Sequence, residues 1–376
     1  MKYGLYIHLP FCRRKCPYCS FMSITHAEAM MESYADAVFT EINLRSTGIF
    51  SDIPQTLYIG GGTPSMVPAR CIERMLRDVP LRDMAECSVE ANPDSLSEMW
   101  LERMLRIGIN RISIGIQSLD DTILSQLGRL HNVRQAAASV AMARRAGFSN
   151  LSVDLMFGVP GQIMHVWEDT LKRICELEVE HVSCYSLSME EDTRFYTLAL
   201  EDKLSLPDPA ETSDMYLLAT DTLTSNGFSQ YEISNFARPG FECIHNQGYW
   251  NFTPYLGAGA SAHSFDGDIR RWNVSDPAEY VEHCASGIDP VQEFEVIDSR
   301  KMVLEQLMLS LRVGGGLKVS DIISDTLIDG HAFNEKMDMM VKSGFMERDC
   351  GGNVRLTIRG KVIADEILSE IAADLY

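Results

Sequence analysis

Cys12, Cys16 and Cys19 stand in the run FCRRKCPYCSF with C-x3-C-x2-C spacing, and no fourth cysteine follows nearby. Three thiolates hold three irons of a 4Fe–4S cluster and leave the fourth iron without a protein ligand. An electron-transfer cluster usually has all four corners filled by cysteine. An open corner can bind a second molecule, just as an open position separates a catalytic zinc site from a structural one. Zinc is the rival reading, with His8 or His26 as helpers. But zinc cysteines come as two C-x2-C-like pairs, and one close pair is present here.

Other residues with chemical capacity follow. Gly60-Gly61-Gly62-Thr63-Pro64 ends an apolar run, where glycines permit unusual dihedrals and let a ligand approach bare backbone. A tight turn explains such a run equally well, and without a following Gly-Lys-Ser/Thr it is not a Walker loop. Glu90 and Asp154 are carboxylates in or at the end of apolar stretches, each either a satisfied core acid or a partner for an amine or a ribose hydroxyl. Gln117 and Arg129 add an amide and a carboxylate partner. Further on, His245-Asn246-Gln247-Gly248-Tyr249-Trp250 sets an imidazole beside two aromatic rings. A lone histidine among aromatics is more often a core residue than a ligand. Cys243, two residues earlier, sets a thiol beside it.

These residues need elements to position them. Short apolar runs at Tyr3–His8, Thr56–Ile59, Glu86–Glu90, Arg111–Ile116, Leu151–Met156 and His181–Leu187 predict six strands. Helical periodicity fills the gaps, at about Ala27–Arg45, Ala69–Arg77, a helix capped near Ser95, Val133–Ala146 and His165–Leu177. Six β–α repeats predict parallel strands with helical crossovers. The cysteines, the glycine run, Glu90, Gln117 and Asp154 all fall at or near carboxyl ends of strands. A barrel builds its site there, whereas a doubly wound sheet gathers its site at one switch point. Six units are too few for the usual eight-stranded closure. The expected fold is therefore α/β, a partial (β/α)6 barrel.

Three regions are expected: a barrel core over residues 1–190, an extension rich in aromatics over 191–297, and a C-terminal module over 298–376. The last reads as helices near Ser299–Leu311, Val319–Leu327 and His331–Ser343. A hairpin of Phe345–Arg348 and Val354–Thr357 follows, then a last helix, in a winged-helix-like α+β pattern. Such modules often bind DNA, but Asp321, Asp325, Asp329, Glu335 and Asp338 favour a structural role or a protein contact.

The 376 residues carry 33 Lys and Arg against 53 Asp and Glu, a net charge of −20. That is poor electrostatics for wrapping nucleic acid or lying on an anionic membrane. Arg13, Arg14 and Lys15 form a small basic group inside the cysteine loop. Seven of the ten cysteines are scattered, no signal peptide precedes the loop, and no apolar run approaches membrane-spanning length. These features predict a cytoplasmic protein.

Together the motifs resemble the radical S-adenosylmethionine superfamily, whose C-x3-C-x2-C carries an aromatic, here Tyr18, before the last cysteine. The resemblance implies a 4Fe–4S cluster on Cys12, Cys16 and Cys19, with S-adenosylmethionine chelating the open iron. One-electron reduction in that family yields a 5′-deoxyadenosyl radical. Within it, YIHLPFC, GGGTPS, EANP, GIQSL, Gly128-Arg129 and DLMFGVPGQ resemble oxygen-independent coproporphyrinogen III dehydrogenase and the related HemW haem chaperones. Carried over by position, Tyr6, Tyr18, Gly61, Gly62, Thr63, Glu90, Gln117, Arg129, Asp154 and Ser188 are implied to bind S-adenosylmethionine. Phe21 stands where the dehydrogenase has a fourth cysteine, and the dehydrogenase's long N-terminal extension has no counterpart before Tyr3. Both departures match the chaperones. HNQGYW resembles their haem-associated H-N-x-x-Y-W motif, which implies haem contacts for His245, Tyr249 and Trp250, and SNFARPG and YLGAGASAHS resemble its flanks. The implied partners are haem, acceptor haemoproteins, a haem donor, and peripheral contact with membrane haemoproteins without insertion. The reading leans away from an enzyme. Oxidative decarboxylation in porphyrin biosynthesis is the alternative. Oligomeric state is left open, a haem-dependent dimer included.

Overall fold

The computed structural model describes residues 2–323 and 329–373. Six strands appear where the sequence predicts them: β1 (Gly4–Leu9), β2 (Thr56–Gly61), β3 (Glu86–Ala91), β4 (Arg111–Gln117), β5 (Leu151–Phe157) and β6 (His181–Ser186). They pair in parallel and in chain order, β1-β2-β3-β4-β5-β6. Chain order without a reversal is the winding of a barrel rather than of a doubly wound sheet. The array does not close on itself. The free edge of β1 takes β9 (Tyr255–Ala258) in parallel, and that of β6 takes β8 (Asn235–Ala237) antiparallel, followed by β7 (Ser229–Gln230). Beyond β9 run β10 (His263–Phe265), β11 (Ile269–Asn273) and β12 (Val291–Val296), so the continuous sheet has twelve strands.

The six core strands alternate instead of being apolar on both faces. Leu5, Ile7, Leu57, Ile59, Val89, Ile112, Ile114, Val153 and Val182 point outward and are essentially buried. They pack with helix residues such as Tyr34, Val38, Leu101, Met104, Trp167 and Leu171 in one large apolar cluster. The inward positions are Tyr58, Glu90, Arg111, Ser113, Asp154, His181 and Ser183, which line a cavity. Period-two alternation follows from strand geometry. Here it separates a dry outer layer from a polar lumen.

The crossover helices are Met31–Arg45, Ala69–Met75, Glu98–Ile107, Val133–Ala146 and Met164–Glu176. The predicted cap near Ser95 is corrected to Ser97, whose hydroxyl accepts from Trp100 N–H. Ser95 turns away to bond Ser65 and the Asn92 carbonyl. The Pro209–Ser225 helix falls in the aromatic-rich extension, outside the helices the sequence predicts. Its start is signalled by Asp208, whose side chain caps the Ala210 N–H, and by Pro at the first helical position.

A buried carboxylate ties β9 and β11 to the barrel. Glu41, on helix Met31–Arg45, accepts from Tyr280 hydroxyl (2.6 Å), Asn273 Nδ2 (2.7 Å), Gly259 N–H (2.9 Å) and Arg45 Nη1 (2.9 Å). At the C-terminus a separate apolar cluster runs from Val303 to Ile371. It holds helices Ser299–Ser310, Val319–Ile323, Gly330–Lys342, Ile358–Val362 and Ala364–Ala373, with strands β13 (Leu317–Lys318), β14 (Met346–Arg348) and β15 (Asn353–Leu356) in the order β13-β15-β14. The last four residues of the expected Val319–Leu327 helix, and Asp325 with them, lie outside the described residues. Arg270 on β11 reaches Glu305 of this region with paired contacts of 3.0 and 2.6 Å. Among the described residues no helix is long and apolar enough to cross a membrane.

Candidate active site at the carboxyl end of the barrel

The cysteine loop leaves β1 at Leu9 and folds over the carboxyl ends of the strands. It is pinned by Cys12 N–H to Ile24 carbonyl (2.9 Å) and Ile24 N–H to Pro10 carbonyl (2.7 Å). All three cysteines are partly exposed, free thiols facing one cavity of about 430 Å³. Burial raises the thiol pKa of Cys12 and of Cys19. Among the described residues no three His, Cys, Asp or Glu side chains gather where a single metal ion would sit. A four-iron cube distributes its cysteines over separate irons, so a shared cavity is the relevant fit, and the three thiols have it.

The same cavity is lined by Tyr18, Gly61, Gly62, Thr63, Glu90, Gln117, Arg129, Asp154 and Ser188. Nine of the ten positions singled out for S-adenosylmethionine thus face the cysteines. Tyr6 does not line it: its hydroxyl bonds His8 Nδ1 at 3.0 Å. Tyr58, which sequence reasoning missed, lines the cavity instead, stacks on Tyr6 and donates to Glu90 at 2.8 Å.

Local backbone explains several of these side chains. Gly61 has φ 108°, and a Cβ there would meet the His8 ring at 2.6 Å. A Cβ on Gly62 would meet the Phe11 carbonyl at 2.7 Å, because Gly62 and Thr63 N–H groups bond the Leu9 and Phe11 carbonyls, both at 2.8 Å. These two glycines are required by the chain's own close approach. Gln117 has φ 67° beside a register shift between Gly115 and Gln117 in the β4–β5 pairing. Bulges re-aim side chains beside active sites, and a non-glycine residue there holds a strained conformation of order 1–3 kcal/mol. Gln117 is thereby turned into the cavity.

Electrostatics divide the lumen. Arg129 donates through Nη2 to Asn92 Oδ1 (2.5 Å) and the Gly115 carbonyl (2.8 Å), and its Nη1 lies 3.8 Å from Cys16 Sγ. Asp154 accepts from the Ser113 hydroxyl at 3.0 Å, and burial raises its pKa. Glu90 is pushed up to about 7, first by burial and then by the Asp154 charge. His8, a candidate zinc helper, has both ring nitrogens taken, by Tyr6 and by the Met22 carbonyl at 2.9 Å. Phe21 sits on the cavity lining with 66 % of its surface exposed.

HNQGYW lies at the other end of the barrel. It forms the short helix Ile244–Trp250 against the first residues of β1, β2 and β3. Glu86 opens β3 and accepts from Ile244 N–H (2.8 Å), His245 N–H (3.3 Å), Cys243 Sγ (3.2 Å) and Ser88 hydroxyl (3.1 Å). His245 is 3 % exposed. Its Nδ1 bonds Thr56 Oγ1 (2.8 Å), its Nε2 bonds the Tyr249 hydroxyl (2.9 Å), and its ring stacks on Tyr58 at 5.3 Å. Burial, then the Arg111 charge, pushes its pKa down to about 3, so the ring is neutral. As folded, neither nitrogen is available, and Cys243 is fully buried. Among the described residues, Trp250 Nε1 is buried with no hydrogen-bond partner. Asn246, which sequence reasoning passed over, reaches the same cavity as the cysteines.

A singly wound, open β/α barrel with a three-cysteine loop over its carboxyl end defines the radical SAM superfamily, whose sequence profile matches residues 6–174. The chain is 32% identical over 379 residues to heme chaperone HemW of Bacillus subtilis, covering 98% of this chain and 99% of that protein. It is 30% identical to heme chaperone HemW of Escherichia coli, covering 99% and 98%. The chain belongs to the HemW family. Among solved structures, coproporphyrinogen III oxidase (HemN) from Escherichia coli superposes with a TM-score of 0.83 at 25% identity, over 98% of this chain and 90% of that one.

Proposed function

We propose that this protein is a haem chaperone that carries a 4Fe–4S cluster and S-adenosylmethionine at the carboxyl end of its barrel and passes haem to acceptor haemoproteins. The observation that carries the reading is the single cavity in which Cys12, Cys16 and Cys19 face Glu90, Gln117, Arg129 and Asp154. Cys12, Cys16 and Cys19 would hold three irons, and the group supplies an electron and one open iron. Glu90 and Asp154 suit the amine and ribose hydroxyls of S-adenosylmethionine. Gln117 supplies an amide, and Thr63, 3.6 Å from Cys12 Sγ, borders the cysteines. Tyr18 and Ser188 complete the wall.

The haem element proposed is the segment of His245, Tyr249 and Trp250. Ligation through His245 requires its release from Thr56 or Tyr249, each a neutral hydrogen bond worth about 1 kcal/mol net. Such a cost is small beside a metal–imidazole bond, so the helix works as a latch. Haem titration into the wild-type and His245→Ala proteins tests this. Weaker binding and an altered spectrum in the variant support it, and equal affinity with unchanged spectra removes His245 from the role.

A second reading is favoured by the match to coproporphyrinogen III oxidase. On it, the same site oxidatively decarboxylates coproporphyrinogen III. Phe21, where that enzyme class carries a fourth cysteine, weighs against it. Protoporphyrinogen formation at turnover rates in an anaerobic assay with reductant would overturn the chaperone reading.

A further inference from the structure

Three arginines reach into the barrel wall and lumen. Arg45 is bound by Glu41 and by Ser264 (3.0 Å), and Arg129 by Asn92, the Gly115 carbonyl and Cys16. Arg111, the first residue of β4, differs. It is 2 % exposed and lines the cavity beside His181, Tyr58 and Asn246. Its Nε is buried with no partner, and among the described residues its guanidinium makes no hydrogen bond or ion pair. The acids around it are engaged elsewhere: Glu86 by three donors of the Cys243–His245 turn, Glu90 by Tyr58, Asp154 by Ser113. The histidines nearby are closed as well, with His181 bound to Ser152 and Tyr231 at 2.8 Å each. The nearby Glu86 charge offsets burial and favours the ionised guanidinium, yet a buried donor without an acceptor is costly, and proteins keep one where a ligand completes it.

We propose that Arg111 is the receptor for a carboxylate on a ligand that enters the barrel lumen. The guanidinium fork matches a planar carboxylate with two parallel N–H···O bonds. A singly charged group suits a lumen that already holds Glu90 and Asp154, where a phosphate dianion would meet repulsion. The cavity runs from the cysteine loop to Asn246, so the carboxylate would sit at the far end from the cluster. Asn246 is its neutral neighbour, and this connects the H-N-x-x-Y-W helix to the lumen. The carboxylate belongs either to a free organic acid or to a propionate arm of haem.

The test uses the full chain with its cluster reconstituted. Thermal unfolding is followed with sodium propionate, and binding with haem and with haem dimethyl ester, for wild type, Arg111→Gln and Arg111→Lys. Propionate raises the wild-type Tm, leaves Arg111→Gln unmoved and acts partly on Arg111→Lys. Haem binding about tenfold or more tighter than its ester, with the difference erased in Arg111→Gln, identifies a haem propionate. Equal binding of haem and ester, with propionate protection kept, identifies a free acid. The proposal is overturned if propionate moves wild type and Arg111→Gln alike or moves neither. Haem bound equally by wild type and Arg111→Gln, with no propionate effect, overturns the receptor and leaves the chaperone reading standing.

Discussion

The two ends of the barrel are built from the same six strands and are opposite in character. At the carboxyl end, side chains are held with capacity unused: three free thiols and a strained Gln117. At the amino end, Glu86 is paired with its turn, His245 with Thr56 and Tyr249, and His181 with Ser152 and Tyr231, while Arg111 is the exception. Strained or unpaired groups persist where a ligand makes use of them. Paired ones mark structure that must be opened before it can bind. The carboxyl end is thus prepared to receive a ligand, and the amino end is closed over one edge of the same lumen.

Substitutions at each end should therefore fail differently. Cys16→Ala is expected to abolish iron incorporation and the cluster's visible absorption while leaving the ligand-free Tm near wild type, because the thiol is partly exposed and its contact with Arg129 Nη1 is long, at 3.8 Å. A large loss of Tm would mean that the cysteine loop is structural. Glu86→Ala leaves two backbone N–H groups and a thiol without an acceptor at a buried site. At about 1–3 kcal/mol for an unsatisfied buried group, denaturant unfolding should show a loss of about 3 kcal/mol, with cluster assembly retained. Tyr249→Phe frees His245 Nε2, so haem should bind more tightly, by up to about fivefold for one neutral hydrogen bond. Unchanged or weaker binding would oppose the latch.

A further effect is a slope. Glu90 carries a pKa near 7 when folded, above its ordinary carboxyl value, through burial and then Asp154. Its contribution to stability is fully present below its unfolded pKa. It is lost as pH rises through about 7, since the folded state binds the proton more tightly across that window. Glu90→Gln should flatten the decline in stability between about pH 4.5 and 7, measured by denaturant titration at several pH values. S-adenosylmethionine binding that uses the Glu90 carboxylate should strengthen over the same rise.

Much of this was legible in residue order. Strand positions agree because each run is apolar at alternate positions and ends at a chemically distinct residue: Leu9 before the cysteine loop, Gly61, Ala91, Gln117. The Val133–Ala146 helix was legible from its periodicity, and the structure adds an Asn132–Gln135 capping box and a left-handed Gly147 at its end. The carboxyl-end cavity was largely legible for the same reason: consecutive parallel strands deliver their ends to one side. What was not legible depends on distant contacts. Nothing local distinguishes Tyr6, turned to His8, from Tyr58, turned to Glu90. The closure of His245 depends on Thr56, 189 positions away. Arg111 reads as a strand-edge charge until the lumen beside it is seen. Gly61 and Gly62 suggested ligand approach, and the structure adds a steric reason in His8 and the Phe11 carbonyl.

The most direct test of the two-ended account is a haem titration of the wild-type and His245→Ala proteins, each with and without a reconstituted cluster, followed by absorption spectra and affinity. The account predicts that wild type binds haem in both states, and that His245→Ala shifts the haem spectrum and lowers affinity in both, with the cluster's own absorption unchanged. Identical haem spectra and affinities for the two proteins would contradict it.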